Sequence, residues 1–245
     1  MLKRENIDKE SPMRLNKTIV NIFGTIATFL LSIPPLSLTA LARRHEEREP
    51  ARPPNMLDIE TALKKLDFYA VEPDEKVIVI DPSRQKLYVL QNRVIIKTYD
   101  ASTSRFGLGN TFGSLKTPTG THRINEKIGA GARLFTLFKN AESTGKIRKY
   151  GSGITTRILR LTGQEAGINA DPRINDKNFD STPKHVDTYF RNIYIHGIPN
   201  EARVGRPASI GCIVMRNADI VELFDMVPAG TLVEILNKTY IAQHE

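Results

Sequence analysis

The stretch Arg206-Pro207-Ala208-Ser209-Ile210-Gly211-Cys212-Ile213 contains the only cysteine of the 245-residue chain and follows Tyr194-Ile195-His196-Gly197. A lone thiol cannot form an intramolecular disulfide, so Cys212 packs in a core, binds a metal or acts as a nucleophile. The small residues around Cys212 form a turn that presents the thiol, and His196 ends an apolar strand nearby. Together these features favour a cysteine nucleophile with a histidine partner.

The residues around Cys212 indicate how such a nucleophile is activated. His196 can accept the thiol proton and later return it, which makes it the candidate general base and acid. Gly211 permits a tight turn, so that the N–H of Cys212, with or without that of Gly211, can bind an oxyanion. Ser209 can orient either the imidazole or a backbone group. Taken singly, His196 is better explained as a structural histidine and Cys212 as a buried apolar residue; their combination favours catalysis.

The N-terminal segment predicts export. Residues 18–42 carry no charge, follow a net positive stretch, and end in Ala40-Leu41-Ala42, which fits the small-x-small rule of signal peptidase. Residues 1–42 are therefore predicted to be a signal peptide cleaved after Ala42 or a retained membrane anchor, and the protein a periplasmic or cell-envelope one. An exported chain with one cysteine does not rely on disulfides, which favours a functional thiol.

The net positive charge of the chain narrows the classes of possible partner but does not identify one. The formal net charge is +8 and the pI is about 9.6, which suits nucleic acid, anionic lipid or an acidic polymer. No helix-turn-helix, zinc-finger or aromatic-interleaved basic motif is present, so nucleic acid is not expected as a partner. Contact with a membrane is expected only through the N-terminal segment, and the oligomeric state is open.

The rest of the chain predicts a mainly β domain with one or two short helices. Residues 43–75 are predicted to be a linker with a possible short helix, residues 76–236 the folded domain, and residues 237–245 a tail. Alternating apolar residues predict strands and amphipathic spacing predicts helices. The predicted strands are 77–80, 85–90, 93–99, 157–162, 192–196 and 231–236; the predicted helices are 55–66 and 218–227, the second capped by Asn217. Polar residues 140–152 and 163–184 are predicted to be functional loops.

The site motif resembles that of a known family. His196-Gly197, a spacer, and Ser209-Ile210-Gly211-Cys212 resemble the signature of the L,D-transpeptidases, the YkuD-type catalytic domain, with a His-to-Cys spacing of 212 − 196 = 16 residues. The resemblance also covers Val79-Ile80-Asp81, Lys86-Leu87-Tyr88, the Thr117-Pro118-Thr119-Gly120 turn, and the last helix and strand. It spans residues 76–236.

This resemblance implies a fold and a reaction. The fold would be a β-sandwich of mixed sheets with long cleft loops. The cysteine would attack the carbonyl between an L-configured centre and D-alanine in a peptidoglycan tetrapeptide stem, and an amine of a second stem would resolve the acyl-enzyme as a cross-link. No metal or organic cofactor is implied. Gly197, Tyr194 and Arg216 are the candidate substrate-binding residues; for Tyr194 a core or cleft-wall position is favoured, and a substrate contact is the alternative.

Two departures from the family pattern leave alternatives open. Many relatives carry His where this chain has Ile210 and Arg where it has Val214. Arg216 lies two positions beyond Val214 and would share its face on an extended segment, so it is a candidate replacement. Hydrolysis at the same site, with water as the acceptor, is one alternative to transfer, and a catalytically impaired wall-binding protein is another. The remaining histidines, His45, His122 and His185, are predicted to lie at the surface, and a zinc site is not predicted.

Overall fold

A long mixed sheet with two α-helices makes up the part of the chain that the computed structural model describes, residues 55–171 and 186–238. The helices are α1 (Met56–Leu66) and α2 (Asn217–Met226). The strands are β1 (Lys76–Asp81), β2 (Lys86–Gln91), β3 (Val94–Asp100), β4 (Gly120–Ile128), β5 (Thr136–Lys139), β6 (Glu142–Ile147), β7 (Ile154–Gly163), β8 (Tyr194–Gly197), β9 (Ile213–Met215) and β10 (Leu232–Ile235). Two 3₁₀ turns, Asp67–Tyr69 and Glu201–Arg203, complete the elements.

Several predictions fall on residues outside these ranges: the N-terminal export segment, residues 43–54 of the linker, residues 172–184 of the predicted loop 163–184, residues 239–245 of the C-terminal tail, His45 and His185. Within residues 55–171 and 186–238, neither helix combines the length and the apolar character that crossing a bilayer requires.

The strands form one mixed sheet that closes on itself near the site. The strand order is β3-β2-β1-β10-β4-β7-β5-β6, and β8 joins β7 to β9. The pairs β1·β10 and β8·β9 are parallel and the other pairs antiparallel. Just after β3, Ser102 exchanges two backbone hydrogen bonds with Val214 of β9, at 2.8 and 2.9 Å. The predicted mainly β, mixed-sheet fold is confirmed. The strands belong to a single sheet, in which the segment after β3 pairs with β9.

Alternation along the strands builds two apolar layers. Ile78 and Ile80 of β1 face the main core, whereas Val77 and Val79 face the layer under α1, as the period of two requires. The main core collects residues from β1–β4, β7–β10 and α2, so the sheet wraps around it. Helix α2 fills one side of this core with Ile220, Leu223 and Phe224.

Helix α1 docks on the outer face of β1, β2 and β10. Its buried residues, Ile59, Ala62, Leu63 and Leu66, pack on that face, as their spacing predicts. Asn55 caps the helix by accepting a hydrogen bond from the Leu57 N–H at 3.2 Å. The sequence left open whether this helix docks or stands apart; it docks.

A partly exposed ion cluster adds polar contacts to the docking of α1. Lys65 Nζ lies 2.5 Å from Glu165 Oε1 and 3.0 Å from Glu234 Oε1. Glu234 of β10 also accepts a hydrogen bond from the Thr121 hydroxyl of β4 at 2.7 Å. The cluster therefore ties α1 to two adjacent strands.

Strands β4 and β6 were not predicted from the sequence. Residues 142–147 of the predicted loop 140–152 form β6, which makes a hairpin with β5. Almost every residue of β6 is exposed, so this edge strand carries no apolar alternation. Strand β4 was missed because its buried positions include Thr121 and His122, which are polar.

His122 is wholly buried, so its predicted surface position is wrong. Its Nδ1 donates to the Gly120 carbonyl at 2.8 Å, and its Nε2 lies 3.1 Å from the Thr188 hydroxyl. Burial lowers the pKa of His122 to about 4, because the charged imidazolium would lose its hydration. Two hydrogen bonds satisfy the neutral ring, which explains how a histidine fits an interior position.

Asn217 was predicted to cap α2 from outside, but it is the first residue of the helix and Arg216 is the N-cap. The Asn217 side chain is buried in a polar network instead. It accepts from the Thr155 hydroxyl at 2.7 Å and donates to the Ile198 carbonyl at 2.8 Å and to Glu201 at 2.7 Å. The amide thus joins α2 to β7 and to the segment that follows β8.

Candidate active site

Parallel pairing of β8 with β9 brings His196 next to the nucleophile segment. The register pairs Ile195 with Ile213 and His196 with Val214. Paired residues of parallel strands project to the same face, and residues two apart on one strand share it. Cys212 immediately precedes β9, two positions before Val214. The sheet therefore places the Cys212 and His196 side chains on one face, two residues apart along the paired strands.

The His196 ring is buried and oriented by its own strand. Its Nδ1 lies 2.8 Å from the carbonyl oxygen of Gly197, which can only accept, so Nδ1 carries the proton. In the neutral ring Nε2 is then the free acceptor. Burial lowers the pKa of His196 to about 4, and the Gly197 carbonyl opposes that shift only in part. At neutral pH the imidazole is therefore an uncharged base.

The Cys212 thiol rests against the backbone of the segment entering β8. Its Sγ donates to the Asn192 carbonyl at 3.5 Å. Burial raises the pKa of Cys212 to about 11, although the backbone N–H of Tyr194 and the positive charge of Arg191 favour the thiolate. Among the described residues no hydrogen bond joins Sγ to the His196 ring. An approach of Sγ to the imidazole would therefore require Sγ to leave the Asn192 carbonyl.

Ser209 and Gly211 shape the turn that carries the thiol. The Ser209 hydroxyl donates to the Cys212 carbonyl at 2.5 Å and accepts from the Gly211 N–H at 3.3 Å. Ser209 thus orients a backbone group, which was one of its two predicted roles, and occupies the Gly211 N–H. Gly211 has a φ of +130°, which an L side chain rarely adopts. The N–H of Cys212 is left as the candidate oxyanion donor.

Two candidate substrate-binding residues, Gly197 and Tyr194, have structural contacts. A Cβ on Gly197 would lie 2.7 Å from Asn217 Oδ1 and 2.8 Å from the Thr155 carbonyl, so only glycine fits between β7 and α2. The Tyr194 ring is buried in a small apolar cluster beside Cys212, and its hydroxyl donates to Asn192 Oδ1 at 2.9 Å. Tyr194 therefore has the core position that was favoured for it, and its backbone N–H favours the thiolate of Cys212.

The contacts of Arg216 do not support its predicted role as a replacement for an arginine at position 214. Its Nη1 lies 2.6 Å from Asp100 Oδ2 and 3.8 Å from Asp219 Oδ2. Burial alone would raise the pKa of Asp100, but hydrogen bonds from Lys86 and Arg216 hold it below its usual value. Arg216 directly follows β9 and is the N-cap of α2. It joins α2 to β3.

Arg191 is the cation that the sequence missed. Its guanidinium donates to the Gly109 carbonyl at 3.1 Å and to the Lys116 carbonyl at 2.5 Å. Burial lowers the pKa of Arg191 to about 10, and the charge of Cys212 acts in the opposite direction. Arg191 would therefore stabilise Cys212 in its thiolate form. Arg191 lies in a turn, 21 positions before Cys212 (212 − 191) and outside the motif, so no sequence signal links it to the thiol.

A cavity of about 190 Å³ lies beside the turn of residues 209–212, which is called the nucleophile turn below. Its rim is apolar and accessible: Ile210 is 60% exposed, Leu115 47% and Phe190 39%. Exposed apolar side chains around a concave site are typical of a ligand-binding surface. The lining residues are Phe112, Gly113, Leu115, Phe190, Arg191, Asn192, Ile193, Ile210 and Gly211. The cavity thus combines apolar walls with the cation of Arg191. Gly211, the residue before Cys212, is part of its lining.

Comparison with known proteins identifies a family. Residues 75–235 match the family model described as YkuD, L,D-transpeptidase catalytic domain. The YkuD protein of Bacillus subtilis (strain 168) is 51% identical over 41 residues, which are 17% of this chain and 25% of that protein. The YkuD protein of Bacillus licheniformis is 49% identical over 41 residues, again 17% and 25% of the two chains. The match to the family model covers well over half of the chain.

Solved structures give a weaker likeness. An L,D-transpeptidase from Mycobacterium smegmatis has a TM-score of 0.38 and 16% identity, covering 66% of this chain and 58% of that one. The structure of LdtMt1 in complex with imipenem has a TM-score of 0.39 and 18% identity, covering 66% and 59%. At these values the structural likeness adds nothing to the family match. The chain spans a quarter of the curated relatives and less than two thirds of these structures.

Proposed function

Because the chain belongs to the YkuD family of L,D-transpeptidase catalytic domains, we propose that it is a peptidoglycan L,D-transpeptidase with Cys212 as nucleophile. The observation that carries this proposal is the pairing of β8 with β9. It sets the thiol on the same face as an imidazole whose Nε2 is a free, uncharged acceptor. A thiol beside such a base is the minimal arrangement for cysteine acyl transfer.

The first half-reaction forms an acyl-enzyme. The thiol turns toward His196, and Nε2 accepts its proton as sulfur bonds to the carbonyl carbon between the L-centre and D-alanine. The carbonyl electron pair moves to oxygen, where the Cys212 N–H can stabilise the charge. As the carbonyl reforms, the C–N bond breaks and His196 gives its proton to the departing amine. D-Alanine leaves, and a thioester remains on Cys212.

The second half-reaction uses the same groups in the reverse sense. His196 accepts a proton from the acceptor amine as nitrogen attacks the thioester carbonyl. The C–S bond breaks, the proton returns to sulfur, and the new amide cross-links two stems. Water in place of the amine gives a shortened stem and no cross-link. The cavity beside Cys212, with apolar walls and Arg191, suits a peptide chain that carries a carboxylate.

Purified protein incubated with tetrapeptide muropeptides tests the proposal. Cross-linked dimers are expected, with release of D-alanine and a covalent intermediate on Cys212 by intact-mass spectrometry. Tripeptides without dimers would mean hydrolysis. Binding to sacculi without any adduct would mean an impaired wall-binding protein. Cys212→Ala is the control and should give neither product nor adduct.

Imipenem supplies a simpler acylation probe, because its strained lactam is an activated amide. We expect it to add one equivalent to the wild-type protein and none to Cys212→Ala. We also propose that the protein works outside the cytoplasmic membrane, supported by the uncharged residues 18–42 and the Ala40-Leu41-Ala42 site. A phosphatase fused to the C-terminus that remained inactive would contradict export.

A further inference from the structure

The Thr117 hydroxyl links a distant loop to the nucleophile turn. Thr117 lies in the Thr117-Pro118-Thr119-Gly120 turn and is wholly buried. Its Oγ1 accepts a hydrogen bond from the Ser104 N–H at 2.8 Å and donates to the Gly211 carbonyl at 2.9 Å. The Ser104 N–H can only donate and the Gly211 carbonyl can only accept, so the single hydroxyl proton lies toward Gly211. The direction of this bond is therefore fixed.

The bond sets the plane of the peptide that joins Gly211 to Cys212. In a trans peptide the C=O and the N–H point in opposite directions. Because the Gly211 carbonyl points to Thr117, the Cys212 N–H points away from it. None of the described residues accepts a hydrogen bond from that N–H. It is thus an oriented donor without an acceptor, next to the reacting sulfur.

A second contact shows that the orientation is imposed from outside the turn. The Lys116 carbonyl lies 3.7 Å from the position that a Cβ on Gly211 would take, so residues 116 and 117 pack directly on the turn. The Ser209 hydroxyl holds the next peptide through the Cys212 carbonyl, at 2.5 Å. The two peptides that flank the Cys212 side chain are thus each held by one hydroxyl.

We propose that Thr117 is a positioning residue for acyl transfer, holding the Gly211–Cys212 peptide so that the Cys212 N–H meets the oxyanion. The inference rests on the proposed function, since it concerns the step in which sulfur bonds to the carbonyl carbon. In that step the carbonyl electron pair moves to oxygen and the thiol proton moves to His196. Thr117 takes part in neither transfer; it aligns the donor that the oxygen meets.

Two reactions of the same thiol separate this role from a structural one. Acylation by imipenem creates an oxyanion, whereas alkylation by iodoacetamide displaces iodide from a saturated carbon and creates none. Thr117→Val keeps the side-chain shape and removes the hydroxyl. We expect acylation to slow about 10- to 100-fold, somewhat less than full loss of an oxyanion donor, with alkylation within twofold of wild type. Thr117→Ser, which keeps the hydroxyl, should acylate at close to the wild-type rate.

Each other result has a definite meaning. Unchanged acylation in Thr117→Val, or an equal loss of both rates, would overturn the inference. So would slow acylation in a folded Thr117→Ser variant. If Thr117→Val does not fold by circular dichroism, Thr117→Ala gives the same comparison without the branched side chain. A wild-type protein that is alkylated but never acylated would instead refute the proposed function, and the inference with it.

Discussion

In the absence of a substrate, Cys212 is a protonated thiol and the His196 imidazole is neutral. A thiol pKa of about 11 and an imidazole pKa of about 4 both follow from burial, which disfavours the charged form of each group. A preformed thiolate–imidazolium pair would require the opposite order of these values. Both groups are therefore uncharged at neutral pH.

This resting state predicts how Cys212 reacts with iodoacetamide as pH changes. Only the thiolate is alkylated, so the rate should rise about tenfold for each unit of pH between 7 and 10, following the thiolate fraction of a group with pKa about 11. Free N-acetylcysteine, measured in parallel, should level off earlier. Intact-mass spectrometry gives the rates. A plateau below pH 8 would show a preformed ion pair and refute this account of the resting thiol.

Arg191 and Arg216 provide a matched pair of arginine substitutions. Arg191→Ala removes the donor to two loop carbonyls at the cavity and a positive charge near the thiol. We expect imipenem acylation to slow by about tenfold or more, since small displacements of a reacting geometry are costly. Arg216→Ala breaks an ion pair with Asp100. It should lower the melting temperature and leave acylation within about threefold of wild type.

The result that would contradict this assignment is the reverse order. If Arg216→Ala slowed acylation more than Arg191→Ala at a temperature where both are folded, the guanidinium at position 216 would be the functional one. Arg191→Lys, which keeps the charge and loses the planar fork, then shows whether charge or loop contact matters.

Among the elements, the sequence predicted those whose residues alternate around an apolar core. Helix α1 has amphipathic spacing, and strands β1, β2 and β10 are short runs rich in apolar residues. Strand β4 has polar buried positions whose partners come from distant residues such as Thr188 and Glu234. Local pattern cannot reveal those partners, which is why β4 was not predicted.

The candidate site likewise contains residues that could be predicted from the sequence and residues that could not. Cys212, His196, Ser209 and Gly211 lie in one short motif, so their proximity could be predicted from spacing and family resemblance. Arg191 and Thr117 reach the nucleophile turn only through the closure of the sheet and the packing of the loop before β4. Their contacts are long-range in sequence, and one sequence without relatives does not contain that information.

Because α1 docks on the sheet, truncation of the buried Leu66 should destabilise the fold strongly, whereas truncation of the exposed Leu57 should have little effect. Leu66 is 1% exposed in the apolar layer under the helix, whereas Leu57 is 69% exposed. Leu66→Ala should lower the free energy of unfolding by about 2–5 kcal/mol, and Leu57→Ala by less than about 0.5 kcal/mol. Urea titration measures both. Equal small losses would mean that α1 is not docked in solution.

The candidate site is assembled only when the segment after β3 pairs with β9 and closes the sheet. Its parts come from the loop before β4, the turn before β8 and the turn before β9, and they meet because Ser102 pairs with Val214. No single segment contains Cys212, His196 and Thr117 together. The site should therefore form and be lost with the folded domain as a unit, with no active fragment.

Two buried histidines make that folded domain sensitive to acid. His122 and His196 have native pKa values of about 4, against about 6.5 in an unfolded chain. Below pH 6.5 the unfolded state takes up protons that the native state does not bind. Stability is thus fully present above pH 6.5 and is lost as pH falls toward 4. From these values each histidine should cost about 2 kcal/mol of unfolding free energy at pH 5 relative to pH 7.

Substitution separates the two contributions, and activity separates the two histidines. Urea unfolding at pH 7 and pH 5 should show that His122→Gln and His196→Gln each remove about half of the pH-dependent loss, and the double variant most of it. Only His196→Gln should abolish acylation by imipenem, because only that ring faces the side of the sheet that carries Cys212. A wild-type protein equally stable at both pH values would refute the neutral, buried state of these rings. Loss of acylation in a folded His122→Gln variant would show that the base had been assigned to the wrong histidine.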